Sequence, residues 1–238
     1  MSDLPLIIAF FGIGFIFQSL FGFGAAFIIV LGLSLFMPIQ PVIGLMAVGI
    51  LLSNFTTVVG DHRKVRWRLI LLTFMWSVPG LFLGSIILDR LPARVIVIAI
   101  CVIILIYSVY SILIKTVAVP KRWITPLTIV SGFITGGTGL GVSFVPIMIG
   151  QFEDPVEFRV SLNLLWVLIG VFRIPIYMVQ GIVVPEHFLI GLTLIPVMIV
   201  SKSVGRMLYN RMELGQFQRW VQIFLGLVVL VRLITEIL

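Results

Sequence analysis

The sequence predicts an all-α integral membrane protein made of two homologous repeats, and three observations support this fold class. First, 61% of the 238 residues are hydrophobic and only 11% are charged, whereas a soluble domain carries about 25% charged residues. Second, continuous apolar runs recur along the chain, and several reach the roughly 20 residues that a membrane-spanning helix needs. Third, glycine and proline positions recur in the two halves. Because barrel strands would instead alternate apolar and polar residues over about ten positions, helices are favoured.

The repeat becomes visible when the chain is shifted by 117 positions. The matching pairs are Gly22 with Gly139, Gly24 with Gly141, Phe27 with Phe144, Pro38 with Pro155 and Pro79 with Pro196. After a small insertion, Gly84 and Arg90 match Gly205 and Arg211. The sequence therefore predicts repeat one at 1–115, a polar linker at 116–122 and repeat two at 123–238.

Each repeat is predicted to begin with a glycine-broken segment and to continue with three longer helices. In repeat one the broken segment is 4–36 and the helices are 41–60, 68–88 and 94–115. In repeat two the broken segment is 124–151 and the helices are 157–180, 187–209 and 216–237. The second break contains Gly136, Gly137, Gly139 and Gly141 within six residues. Each glycine costs about 1 kcal/mol relative to alanine inside a helix, so a straight helix is disfavoured there.

Loop charge predicts the orientation of the repeats. Suppose that each broken segment enters and leaves the membrane on the same side. Twelve basic residues then lie on the cytoplasmic face and only Arg90, Arg94 and Arg232 lie outside, as the positive-inside rule expects. The twelve are Arg63, Lys64, Arg66, Arg68, Lys115, Lys121, Arg122, Arg159, Lys202, Arg206, Arg211 and Arg219. Fully spanning segments would divide the charges almost evenly. Re-entrant segments and inverted repeats are therefore predicted, with full spanning left open because residues 4–21 are long enough to cross alone.

The broken segments suggest how an anion could be held without a buried lysine. Each break is followed by a short apolar helix, predicted at Ala25–Phe36 and Val142–Gly150. A helix that starts at membrane depth presents free backbone N–H groups and the positive end of its dipole. Two such starts facing each other would form an anion site. The alternative is that the glycines only allow close helix packing.

Polar residues near the breaks complete the predicted site. Arg173 stands inside an apolar helix, where an arginine normally faces a cavity, a counter-ion or a substrate; the alternative is that its side chain reaches the external interface. The other polar side chains could equally serve helix–helix hydrogen bonds. The predicted substrate-binding residues are Ser19, Gly22, Gly24, Asn54, Thr138, Gly139, Gly141, Asn163 and Arg173.

Other chemistries find little support in the sequence. No nucleophile–base pair, metal-ligand spacing or phosphate-loop motif occurs, so we expect neither an enzyme nor a bound metal or cofactor. Cys101 is the only cysteine. The net charge of +7 comes from basic residues in short loops between apolar segments, which indicates membrane orientation rather than nucleic-acid binding.

Several stretches resemble the TauE/SafE family of sulfite exporters, and the likeness covers essentially the whole chain. They are Gly22-Phe23-Gly24, the basic loop 61–68, the helix with Pro79 and Leu83-Gly84-Ser85, the stretch 136–141 followed by Phe144 and Pro146, the stretch 180–183, and Ser203-Val204-Gly205. The resemblance implies transport of sulfite, thiosulfate or an organosulfonate such as sulfoacetate across a prokaryotic plasma membrane, in the direction of export.

The residues and the resemblance together predict a multi-pass secondary transporter for a small sulfur-containing anion, working by alternating access. Its partners would be the anionic substrate and the lipid bilayer. Coupling to protons or sodium and assembly into a homodimer are both compatible with this mechanism. An uncoupled anion channel is one alternative, and a membrane assembly or anchoring subunit whose glycines merely pack helices is another.

Overall fold

The computed structural model describes residues 4–113 and 119–209, which form helices without any strand in these two stretches. The α-helices of the described residues are α1 (Leu4–Phe21), α2 (Ala25–Leu33), α3 (Ile39–Asp61), α4 (Trp67–Arg90), α5 (Ala93–Leu113), α6 (Lys121–Thr138), α7 (Val145–Ile149), α8 (Pro155–Val179) and α9 (Pro185–Tyr209). Short 3₁₀ turns lie at His62–Lys64 and Gly141–Phe144. The helix predicted at 216–237 lies outside the described residues.

Long apolar helices dominate this fold. Four stretches of the described residues are long and apolar enough to cross a bilayer, namely Ile39–Lys64, Trp67–Leu88, Val156–Val179 and Pro185–Gly205. Large apolar side chains point outward from α4 and α9, such as Met75 and Leu189, which are 66% and 64% exposed. Such an apolar outer surface is unfavourable in water and suits contact with lipid tails.

The buried centre of the described fold is formed by α2, α3 and α8. Eight residues of the nine-residue α2 are buried, and α3 packs against both α2 and α8. Around this centre, α1 packs along α9, and α4 packs along α6. The shortest of these three helices is therefore enclosed by longer ones, which places its N-terminal end inside the protein, while Leu35 and Phe36 just after its C-terminal end are exposed.

The contact between α4 and α6 is a backbone-to-backbone packing of glycines. Gly80 and Gly84 lie four residues apart on α4, and Gly132 and Gly136 lie four apart on α6. A Cβ atom added at Gly84 would lie 2.1 Å from the carbonyl oxygen of Phe133, and one at Gly136 would lie 2.4 Å from that of Leu81. This is the small-residue packing that lets membrane helices approach closely.

This packing corrects the predicted extent of the second break. Gly136 and Gly137 are helical residues of α6, and the helix ends only at Thr138. The reason is that Gly136 lies against the backbone of α4, a contact that a regular helix makes possible. Gly139 follows with a left-handed φ of 78° and forms the C-cap.

Other helix limits also differ from the prediction. The chain turns at Gly22 and Gly24, whose φ angles are 80° and 104°, and α2 ends at Leu33 instead of continuing to Phe36. The stretch predicted as one short helix from Val142 is a 3₁₀ turn followed by the five-residue α7. Because Pro120 has an extended ψ of 138° at the N-cap of α6, this helix begins at Lys121, inside the predicted linker.

Candidate functional site

A half-open cavity lies where both helix breaks meet the middle of α3 and α8. The cavity volume is about 60 Å³. This is several times the roughly 10–15 Å³ that one water molecule needs, so a small anion fits. Its walls are Gln18, Phe23, Gly24, Ala25, Ala26, Phe27, Ala47, Ile50, Leu51, Thr135, Gly139, Gly141, Trp166, Ile169, Gly170 and Arg173.

The start of α2 opens directly into this cavity. Gly24 is the N-cap in a left-handed conformation, and no side chain caps the helix. Ala25 and Ala26 follow as the first helical residues and line the cavity. Since the first N–H groups of a helix have no partner within it, this wall offers backbone donors at the positive end of the α2 dipole.

Arg173 supplies a positive charge to the cavity from α8. Its side chain is 5% exposed, and its Nη1 donates a hydrogen bond of 2.9 Å to the carbonyl oxygen of Thr135. The guanidinium lies 5.0 Å from the ring centre of Tyr177, and its buried Nε has no hydrogen-bond acceptor. No carboxylate of residues 4–113 or 119–209 forms a salt bridge with it. A buried arginine without a counter-ion leaves unused donors for an anion.

Gln18 is a second polar wall of the cavity, and Asn54 lies behind it. Gln18 is 5% exposed and Asn54 is fully buried. The Gln18 amide nitrogen donates a hydrogen bond to the side-chain oxygen of Asn54. The remaining oxygen of Gln18 and the nitrogen of Asn54 have no hydrogen-bond partners. Asn54 therefore orients the carboxamide of Gln18 and does not itself line the cavity.

Comparison with known proteins decides the family. A family model described as "Sulfite exporter TauE/SafE" matches residues 6–233, which is nearly the whole chain. The chain belongs to the TauE/SafE family. No curated protein and no solved structure matches it. Family membership and the long apolar helices together identify a multi-pass membrane protein of a family of sulfur-anion exporters.

The TauE/SafE cavity contains only some of the residues that the sequence analysis proposed. Gly24, Gly139, Gly141 and Arg173 line it. The two glycines of the second break have close neighbours, since a Cβ at Gly139 would lie 2.5 Å from Met46 Cε and one at Gly141 would lie 2.2 Å from the Trp166 ring. Gly141 thus makes room for Trp166, and the backbone at Gly24 has open space in front of it.

The other proposed residues lie away from the cavity walls. The Ser19 hydroxyl donates to the Lys202 carbonyl at 3.2 Å, and Asn163 donates to the Arg159 carbonyl at 2.6 Å. The Thr138 hydroxyl bonds the backbone at the end of α6, where it donates to the Ile134 carbonyl at 2.7 Å. Gly22 lies under the Arg159 side chain. These groups satisfy helix ends and helix contacts, the alternative that the sequence left open.

Gln18, Thr135 and Trp166 line the cavity and are absent from the predicted binding residues. Gln18 is adjacent to the proposed Ser19, and Thr135 lies three residues before the proposed Thr138. Successive helix residues point about 100° apart, so a shift of one position changes which helix faces a side chain. A polar residue next to a glycine break was the available signal, and the sequence did not specify the rotation of α1 and α6.

Proposed function

We propose that this TauE/SafE protein is a secondary transporter that moves a small sulfur-containing anion out of the cell and holds it in the cavity beside Arg173. The observation that carries the proposal is the buried guanidinium of Arg173, which no carboxylate of the described stretches 4–113 and 119–209 pairs with, at a cavity of suitable size. An anion there would replace water on Arg173 with charge-assisted hydrogen bonds, which are roughly twice as strong as neutral ones.

The remaining walls favour a polyatomic sulfur anion. The uncapped start of α2 offers backbone donors on one side, and Gln18 offers a carboxamide. Rotating the carboxamides of Gln18 and Asn54 by half a turn keeps one hydrogen bond between them, so the end of Gln18 that is not bonded to Asn54 can carry either the oxygen or the amide hydrogens. The apolar side chains of Ile50, Leu51 and Trp166 suit the sulfur or carbon part of thiosulfate or an organosulfonate.

Matching helix contacts in the two halves support inverted repeats and, with them, transport by alternating access. The sequence pairs Gly22 with Gly139 and Pro79 with Pro196, both at an offset of 117. Under this offset, position 12 corresponds to 129 and position 80 to 197. A Cβ at Gly12 would lie 3.4 Å from Val197 Cγ1, and one at Gly80 would lie 2.0 Å from the Ile129 carbonyl oxygen. The α1–α9 and α6–α4 contacts thus match, which supports two repeats that we infer are inverted.

The test is a thermal-shift panel of sulfite, thiosulfate, sulfate, sulfoacetate and chloride on the purified protein. A ligand at 100 times its dissociation constant stabilises the native state by about 2.7 kcal/mol, so we expect a selective rise in melting temperature with one sulfur anion. Gln18→Leu should reduce this rise, whereas Gln180→Leu should not. Gln180 is a part-buried glutamine whose amide donates to the Ser85 carbonyl, and it lies outside the cavity walls. A folded wild-type protein without a shift for any sulfur anion would contradict the proposal.

A pair of glycine variants separates backbone strain from anion binding. Gly24 and Gly181 both have positive φ and no atom within 4 Å of an added Cβ, but only Gly24 lines the cavity. Alanine in a left-handed conformation costs roughly 1–2 kcal/mol, so Gly24→Ala and Gly181→Ala should lower the melting temperature similarly. Only Gly24→Ala should also weaken anion binding, since its methyl group enters the cavity. If the two variants bound the anion with equal affinity, Gly24 would not be part of the anion site.

A further inference from the structure

Two basic residues meet the C-terminal end of α1, and no acidic residue of 4–113 or 119–209 pairs with either of them. Arg159 lies in the second turn of α8 and Lys202 lies in the last part of α9. Both contact Ser19, because Arg159 Nη1 donates to the Ser19 carbonyl and the Ser19 hydroxyl donates to the Lys202 carbonyl, each at 3.2 Å. Loop charge placed these cations at the cytoplasmic face, but both side chains are partly buried between helices.

The ammonium group of Lys202 is turned inward. Its Nζ donates to the Ser53 carbonyl at 2.5 Å and to the hydroxyls of Thr56 and Thr57 at 2.7 and 2.8 Å. A lysine that only marks the cytoplasmic face would extend its amine to water or lipid headgroups. Here the charge faces α3, where only neutral oxygens accept its hydrogen bonds.

Arg159 lies across the break between α1 and α2. A Cβ at Gly22 would be 2.6 Å from Arg159 Cγ, so glycine leaves room for the arginine to lie flat on the chain. Its Nε is buried without a hydrogen-bond acceptor. Within residues 4–113 and 119–209, neither Arg159 nor Lys202 forms a salt bridge. All three donors of Lys202 are used by α3, so this residue would contribute positive charge, while Arg159 has both a charge and an unused donor for an anion.

We propose that Arg159 and Lys202 form a second anion site, which holds a small oxyanion at one end of the path to the Arg173 cavity. The proposal rests on the proposed transport function. Continuity between the two sites supports it: Ser19 is adjacent to Gln18, which lines the cavity. Ser53, which accepts from Lys202, is likewise adjacent to Asn54, which bonds Gln18.

The spacing along α8 makes this a separate site. Arg159 and Arg173 are fourteen residues apart on one helix, which corresponds to about 21 Å. Because each residue rotates the helix by about 100°, fourteen residues make nearly four full turns, so both arginines lie on nearly the same face of α8. The two guanidinium groups also bond different helices, Arg159 the Ser19 carbonyl of α1 and Arg173 the Thr135 carbonyl of α6. An anion passing between the two sites would exchange one arginine for the other.

Calorimetric titration of the purified protein with sulfite tests the second site. We expect wild type to bind close to two sulfite ions, Arg173→Gln to keep the site at Arg159 and Lys202, and Arg159→Gln to keep the cavity site. Because hydrogen bonds to a charged group contribute about 1.5–3 kcal/mol, losing one weakens a site by about tenfold or more. Lys202→Gln should weaken the second site through the loss of its positive charge, and Lys202→Arg, which keeps the charge, should preserve it. Lys121→Gln, an exposed lysine at the start of α6, is the matched control for net charge.

The outcomes separate the two proposals. If Arg173→Gln removes all sulfite binding, and Arg159→Gln and Lys202→Gln bind like wild type, the second site is excluded while the cavity proposal stands. If sulfite binding is unaffected by Arg173→Gln but lost in Arg159→Gln, the second site stands and the cavity proposal fails. Because Lys202 also joins α9 to α3, melting curves accompany each titration, and Arg159→Gln provides the test if Lys202→Gln does not fold.

Discussion

Replacing Arg173 with methionine is expected to abolish anion binding and transport while leaving the protein folded. Methionine retains an apolar stem of similar length but removes all five guanidinium donors. Two hydrogen bonds to a charged donor, each worth about 1.5–3 kcal/mol, correspond to at least about a hundredfold in dissociation constant. The measurement is uptake of the sulfur anion identified by thermal shift, with purified protein in lipid vesicles.

Stability distinguishes this functional role of Arg173 from a structural one. The Thr135 carbonyl that accepts from Arg173 also accepts from the backbone N–H of Gly139 at 2.9 Å, so it keeps a partner in the variant. Burying a charge away from water is costly, and the apolar methionine side chain removes that cost. We therefore expect the anion-free melting temperature of Arg173→Met to equal or exceed that of wild type. A large drop in melting temperature with unchanged anion affinity would show that Arg173 is structural. Arg68→Met, at an exposed arginine of α4, controls for charge.

The second large effect concerns the packed glycines. A Cβ at Gly84 would lie 2.1 Å from the Phe133 carbonyl oxygen and 2.8 Å from the Gly137 nitrogen. Both neighbours are backbone atoms of α6, so Gly84→Ala must push the two helices apart. Overpacking of this kind costs about 1–3 kcal/mol, and Gly84→Ala combined with Gly132→Ala should prevent recovery of folded protein.

Gly60→Ala is the matched control for the packed glycines. Gly60 is a helical residue of α3 with nothing within 4 Å of an added Cβ, and alanine is favoured over glycine in a helix by about 1 kcal/mol. We expect this variant to melt at or above the wild-type temperature. The readout is the melting temperature in detergent, with anion affinity measured on the folded fraction. If Gly84→Ala melted like Gly60→Ala, the close approach of α4 and α6 would be wrong.

The glycines that pack against another helix and the glycines with positive φ show what a sequence pattern can and cannot predict. The cluster from Gly136 to Gly141 is visible in the sequence, and both readings of it, helix breaking and helix packing, could be stated from composition. The structure divides the cluster, because Gly136 lies against α4 while Gly139 has a φ of 78°. A glycine's role depends on its neighbours and on the sign of φ, and neither is encoded at a single position.

The proposed anion site shows the same limit. Arg173 could be singled out from the sequence, because a lone charge in an apolar helix is costly. Its two alternatives, a cavity or the membrane interface, were distinguished by the helices packed around it. Ser19 was proposed, but the adjacent Gln18 lines the cavity, because adjacent helix residues point about 100° apart. Asn54 was also proposed, and it bonds Gln18 from α3 without lining the cavity itself. The repeat offsets show which helices of the two halves correspond, but they do not specify how each helix is rotated about its own axis.

The sequence by itself determined that the protein is an all-α membrane protein and which family it belongs to. A bilayer requires long apolar helices, so composition and run length suffice for the first, and the family pattern extends over residues 6–233. Only the tertiary structure decided which polar groups share a cavity, and that the side chains of Arg159 and Lys202 turn toward α1 and α3. Hydropathy predicts each membrane-spanning segment from that segment alone. A binding site requires side chains from several helices to meet, which depends on the rotation and depth of each helix in the packed protein.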